Sequence, residues 1–356
     1  MAYPLYYAAM SCQPDLPWAS CGHSWNTDNC REANYTARSL EVLDAVVVAV
    51  TNGTEQLING TTQLGSDVHN VTDDQGSVLR NITALNGTVR GPEEEFWLYG
   101  VLDISSGLSD SGSVRWPLLI CLAVAWFTIF LCLIKGIKSM GKAAYVAASL
   151  PYLILTCLLV RGCLLPGAGV GLYYYMVPEW EQLADFDVWR NATAQVMFSM
   201  GMGSGLLNTL ASYNKFNNNL QRDAFLLPVM DTVTSIFAGL VIFVYLGHMS
   251  YLTGKHMDNV VDEGPGLVFI AYPSALSTLP IPQFWSIIFF LMLFCVGLDS
   301  QFLHVQIVIT ALTDRYPHKL RSRGRLLTAV VCFIFFLLGL PYTMQASFLP
   351  AMASRV

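Results

Sequence analysis

Beyond residue 115 the chain alternates between long apolar runs and short polar or charged segments. Six runs are predominantly apolar over about 20 residues or more, the length that crosses a bilayer core. They are Trp116–Ile137, Ala143–Gly162, Ala192–Tyr213, Ala224–Met249, Pro282–Leu312 and Leu326–Gln345. Met1–Met10 is also apolar but too short to span. It has neither a basic n-region nor a small-residue cleavage site, so it does not read as a signal peptide. It reads as the end of a helix begun upstream, which predicts a chain lacking its N-terminal part.

The stretch 31–95 is polar and carries six Asn-x-Ser/Thr sequons, at Asn34, Asn52, Asn59, Asn70, Asn81 and Asn86. So dense a set argues for a glycosylated, extracellular loop. Charge in the other loops sets an orientation. Lys135, Lys138 and Lys142 follow the first run; Lys215 and Arg222 follow the third; Arg315, Lys319, Arg321, Arg323 and Arg325 follow the fifth. The intervening loops are acidic: Glu179, Glu181, Asp185 and Asp187, then Asp258, Asp262 and Glu263. Alternate loops are therefore expected inside, with residues 11–115 outside.

Composition sharpens this picture. The 356 residues are 54% hydrophobic and only 12% charged, with mean hydropathy +0.47. Soluble domains carry roughly 25% charge, so most of this surface is expected to face lipid. The net charge of −6 offers nothing to nucleic acid. Cys121, Cys132, Cys157, Cys295 and Cys332 lie in apolar runs and read as packing residues. Cys21 and Cys30 flank a polar stretch and read as a disulfide beside the sequons, with a zinc pair as the other reading.

Two carboxylates interrupt apolar runs, Asp231 and Asp299. Placing one in a membrane helix costs several kcal/mol, about 2.5–3.5 on insertion scales. The ordinary reading is a hydrogen-bonded structural aspartate; the functional one is a cation ligand or proton relay. Val296, Asp299 and Ser300 stand at i, i+3 and i+4 and share a helix face that His304 continues. With a nearby free carbonyl they offer hard oxygen ligands suited to sodium. In the third run, Gly201, Gly203 and Gly205 alternate. That pattern predicts a helix interrupted over Gly201–Gly205, since each glycine costs about 1 kcal/mol in a helix and unwound backbone survives in a membrane only at a cavity or inside protein. A glycine face for close helix packing is the other reading.

Several longer motifs point to one family. Ser212-Tyr-Asn-Lys-Phe-Asn-Asn-Asn219, the glycine-broken run before it, Gly264-Pro-Gly-Leu-Val-Phe-Ile-Ala-Tyr-Pro273, Gly297-Leu-Asp-Ser-Gln-Phe302, Leu118–Lys142 and Leu16-Pro-Trp…Cys21…Trp25-Asn…Cys30 all resemble the neurotransmitter:sodium symporter family. The resemblance covers nearly the whole chain. It implies an all-α integral membrane protein, a partial inverted-repeat (LeuT-like) bundle with family helices four to nine and the end of helix three. Residues 1–10 would end a transmembrane helix, 11–115 would be the glycosylated outer loop with its disulfide, 116–346 the six-helix bundle, and 347–356 an atypical tail.

The resemblance also implies roles. Phe198 matches the aromatic that closes over substrate. Ser199 matches a residue of the first sodium site and of the chloride site, with Asp231 at the former and Gln195 and Ser235 at the latter. Val296, Asp299 and Ser300 match the second sodium site. Gly201, Gly203, Ser204, Ser300, Gln301 and His304 fall on or beside the substrate pocket, and Cys21 and Cys30 match the outer-loop disulfide. Three positions depart from the commonest animal pattern. Asp231 replaces the usual Asn, as in insect nutrient amino-acid transporters; Ser204 replaces a pocket aromatic; and His304 replaces a small or apolar residue, serving either a polar substrate or packing.

The function implied is sodium-coupled symport of a neutral amino acid or related small amine across the plasma membrane, with chloride as a further ion and no covalent chemistry. A non-transporting fragment, acting as a partner of a full-length relative or in a homo-oligomer, is the competing expectation.

Overall fold

The computed structural model describes residues 1–32, 90–104, 112–134, 137–214, 216–254, 257 and 267–344. All six sequons and the tail 347–356 lie outside them. Long helices dominate. α1 (Ala2–Met10) leads into the segment that precedes the bundle, where α2 (Pro92–Glu95) continues as a π-helical turn, Phe96–Leu102. Then come α3 (Trp116–Leu133), α4 (Ile137–Cys163), α5 (Ala168–Met176), α6 (Phe186–Ser199), α7 (Leu206–Ala211) and α8 (Leu220–Thr253). α9 (Tyr272–Ser277), α10 (Pro282–Arg315), α11 (Pro317–Leu320) and α12 (Gly324–Gly339) complete the described part.

Among the described residues, five stretches are long and apolar enough to cross a membrane: Trp116–Leu133, Ala143–Cys163, Leu220–Leu252, Pro282–Arg315 and Pro317–Thr343. Their outward faces carry Phe127, Leu131, Val160, Phe333 and Leu338, all exposed, as a lipid solvent requires. The chain is a multi-pass membrane protein. The sixth apolar run, Ala192–Tyr213, is two short helices, α6 and α7, joined by a non-helical turn.

Two apolar clusters hold the bundle. One gathers Tyr7 of α1, Trp18, Phe96, Leu158 of α4, Tyr245 of α8, Leu276 of α9 and Phe290 of α10. Tyr7 is fully buried, stacks near Phe290 with ring centroids 4.7 Å apart, and donates its hydroxyl to the Phe269 carbonyl at 3.0 Å. The other joins Ile129 of α3, Phe302 and Val305 of α10, and Leu327 and Val331 of α12. α10 runs through both clusters, so the helix that carries Asp299 is the best-held element of the bundle.

α5 lies in a stretch with no sequence sign of a helix. It crosses α8 at glycine: a Cβ on Gly171 would sit 1.8 Å from the Phe243 carbonyl oxygen, and one on Gly247 would sit 2.5 Å from the Gly171 nitrogen. Backbone touches backbone here, a contact only small residues permit.

Candidate functional site

The interruption of the third run is built by its glycines. α6 is capped by Asp185, whose carboxylate accepts the Asp187 N–H at 3.0 Å, and it ends at Ser199. Gly201, Gly203 and Gly205 then take φ of +64°, +86° and +78°. These are left-handed conformations that cost a side chain strain and glycine almost nothing. The Ser204 hydroxyl donates to the Gly201 carbonyl at 2.7 Å, closing the turn before α7 starts. The chain thus breaks where the glycine spacing predicts, and a continuous glycine-faced helix is excluded.

Each side of the break is tied to a different helix. Upstream, the Ser199 hydroxyl donates to Asp231 Oδ1 on α8 at 2.8 Å. Downstream, the Tyr213 hydroxyl lies 2.6 Å from Thr310 Oγ1 and accepts from Gln306 Nε2 at 3.2 Å, both on α10. The broken segment therefore bridges the two helices that carry the intramembrane carboxylates. Gln195 stands one turn before Ser199 on α6, and Ser235 one turn after Asp231 on α8. Phe198, next to Ser199, is 83% exposed.

Asp231 is half-buried and no cation offsets it: among the described residues the ion pairs are Arg90–Glu94, Arg115–Asp103 and Arg190–Asp187. None reaches Asp231 or Asp299. A hydroxyl is a modest partner for a carboxylate in a membrane helix, and the remaining carboxylate lone pairs are free for a cation.

The second group is linear. Val296, Asp299, Ser300 and His304 lie on α10, with Asp299 half-buried and the other three exposed. Ser300 Oγ donates to the Val296 carbonyl at 3.3 Å, so the oxygens of residues 296, 299 and 300 share a face as their spacing predicts. Val296 lies within unbroken helix, so its carbonyl also serves the helix ladder and has only part of its two-lone-pair capacity to offer a cation. His304 Nδ1 is 2.8 Å from the Ser300 carbonyl. A carbonyl only accepts, so Nδ1 carries the proton and Nε2 is the nitrogen left for other use. Gln301 is half-buried beside them. α1 approaches this face at Gly297, where a Cβ would stand 3.0 Å from Met1 Cγ.

Before the bundle, Cys21 and Cys30 form a disulfide, with Cα atoms 5.8 Å apart, which replaces the zinc reading. The loop it closes is anchored by Glu95. That side chain is fully buried and accepts from Asn26 Nδ2 at 3.2 Å, from the Thr27 N–H at 2.9 Å and from the Thr27 hydroxyl. Sequence reasoning missed this anchor, and it missed Tyr213, Gln306 and Thr310. Their partners lie 68 to 97 residues away in sequence, beyond any local pattern.

A helical multi-pass membrane protein with a glycine-broken helix seated between two carboxylate-bearing helices has the architecture of a solute transporter, since discontinuous helices are where such bundles build binding sites. The sequence matches the family model "Sodium:neurotransmitter symporter family" over residues 1–352, and the chain belongs to that family. Its members are transporters, not enzymes, and membership carries the LeuT-like fold. Similar curated proteins include the sodium- and chloride-dependent glycine transporter 2 of Xenopus laevis, 39% identical over 97% of this chain and 42% of the relative. The sodium- and chloride-dependent taurine transporter of Canis lupus familiaris is 40% identical over 96% of this chain and 49% of its own. For the sodium- and chloride-dependent GABA transporter 2 of Rattus norvegicus the figures are 39%, 96% and 50%. The chain spans about half the length of the curated relatives it matches.

Proposed function

We propose that the protein acts in sodium-driven symport of a neutral amino acid or related small amine across the plasma membrane. The observation that carries this reading is the Ser199–Asp231 hydrogen bond at the edge of the broken helix, 2.8 Å long, with no cation among the described residues paired to the carboxylate. Asp231 and Ser199 would serve one sodium ion. The Val296 carbonyl, Asp299 and Ser300 would serve a second. Gln195, Ser199 and Ser235 would hold chloride, and the full charge of Asp231 nearby would weaken that dependence. Glycine carbonyls and amides of residues 201–205, with Phe198, Ser204, Gln301 and His304, would line the substrate pocket. Serine at 204 leaves room for a larger side chain than an aromatic there would.

Residues 11–115, with the disulfide and the six sequons, would face outside, and 116–346 would form the bundle in the membrane. The test is uptake of labelled glycine, taurine and a panel of neutral amino acids into cells expressing the chain, with sodium or with choline. Uptake lost in choline supports symport.

A second reading is favoured by α6, whose residues from Phe186 to Ser199 are all exposed. In it the chain does not transport alone and pairs with a full-length relative or a second copy through that helix. Uptake absent from the chain alone but altered in a co-expressed relative would support it.

A further inference from the structure

The end of α10, the connection that follows and the start of α12 hold Arg315, Lys319, Arg321, Arg323 and Arg325 within eleven residues, beside the carboxylate Asp314. All five cations are exposed, and none is in an ion pair among the described residues. Beside them opens a cavity of about 680 Å³. Ser322, Arg323 and Arg325 line its polar side; Leu133 at the end of α3, Ile309 of α10 and Leu326 of α12 line its apolar side. α3 ends and α12 begins at this cavity, so it sits where the hydrocarbon core gives way to headgroups.

We propose that this cavity binds one anionic phospholipid, with the two arginines on its phosphate and the apolar wall against an acyl chain. The two sides of the cavity complement the two parts of one ligand. Guanidinium forks match phosphate oxygens with paired, charge-assisted hydrogen bonds. A basic pocket between membrane helices recognises lipid headgroups, with about 1 kcal/mol from each nearby cation. A free phosphate would use the arginines but leave the leucine and isoleucine wall in water. A zwitterionic lipid would fill the wall but bring its own cation to the arginines. Gln306, which donates to Tyr213 at the end of the broken segment, also lines the cavity, but the lipid contacts named use no residue of the broken helix and do not depend on whether the chain transports.

The test is binding of dioctanoyl phosphatidylserine to the purified full chain in neutral detergent, with dioctanoyl phosphatidylcholine, glycerophosphoserine and inorganic phosphate as the other arms. Phosphatidylserine is expected to bind at least about tenfold tighter than any of the three. The double variant Arg323→Gln with Arg325→Gln is expected to weaken it about 10- to 30-fold. Lys319→Gln with Arg321→Gln removes equal charge outside the cavity lining and is expected to cost less than about threefold. Arg323→Lys keeps charge and fold but loses the fork, and is expected to cost a few-fold. Equal losses in the two double variants, an unchanged Arg323→Lys, or equal binding of phosphatidylcholine would overturn the proposal. So would binding of either water-soluble anion as tightly as the lipid.

Discussion

The crossing of α5 and α8 makes a demand that one methyl group can test. A Cβ on Gly171 would lie 1.8 Å from the Phe243 carbonyl oxygen and 2.7 Å from its carbonyl carbon. Ordinary carbon–oxygen contact needs about 3.4 Å, so the helices must part by roughly 1.5 Å. The obstacle is backbone, which no rotamer change can move aside. Overpacking costs about 1–3 kcal/mol even where side chains can give way, so Gly171→Ala is expected to cost about 3 kcal/mol. Gly247→Ala meets the Gly171 nitrogen at 2.5 Å and is expected to cost a similar amount. Gly169 is the internal control: it lies on the same helix, and a Cβ there meets nothing within 4 Å. Gly169→Ala is expected to be neutral or to stabilise by up to about 1 kcal/mol through helix propensity. The assay is the thermal midpoint of the monodisperse peak of the detergent-purified chain. Equal midpoints for Gly169→Ala and Gly171→Ala would refute the close crossing.

Three other perturbations probe separate parts of the account. Glu95→Ala strands three donors from Asn26 and Thr27, a loss of about 3 kcal/mol; the Cys21–Cys30 bond should then be reduced by dithiothreitol about tenfold faster, and an unchanged rate would contradict the anchor. Tyr213→Phe removes the hydroxyl shared with Thr310 and Gln306; about 1–2 kcal/mol of stability should go, read as the same thermal midpoint, and no change would detach the broken segment from α10. Ser204→Phe and His304→Gly should each reorder an amino-acid uptake panel, the first against large side chains; an unchanged order would remove both from the pocket.

The spans were legible because a bilayer makes each one announce itself as about 20 apolar residues. The break in the third was legible for a similar local reason, since three alternate glycines have no use for one helix. Asp231 and Asp299 stood out by cost alone. What sequence could not provide was contact between distant segments. Ser199 and Asp231 are 32 residues apart, and only the family resemblance put them together before the hydrogen bond did. α5 escaped notice because nine residues with two glycines show no span and no amphipathic period. Its helix is held by the crossing with α8, a tertiary cause. The face shared by Val296, Asp299 and Ser300 is a matter of helical spacing alone, which is why it is readable without the fold.

In the proposed function Asp231, joined to Ser199 beside the broken helix, supplies the charge for a bound cation. The direct measurement is equilibrium binding of radioactive sodium to the purified chain, wild type against Asp231→Asn, each competed with lithium and potassium. A full charge about 4 Å from a cation is worth about 4 kcal/mol near a protein surface, and an amide oxygen keeps part of it. Asp231→Asn is expected to lose about 100-fold in sodium affinity and to change the order among the three cations. Sodium bound equally well by both proteins, in the same cation order, would contradict it.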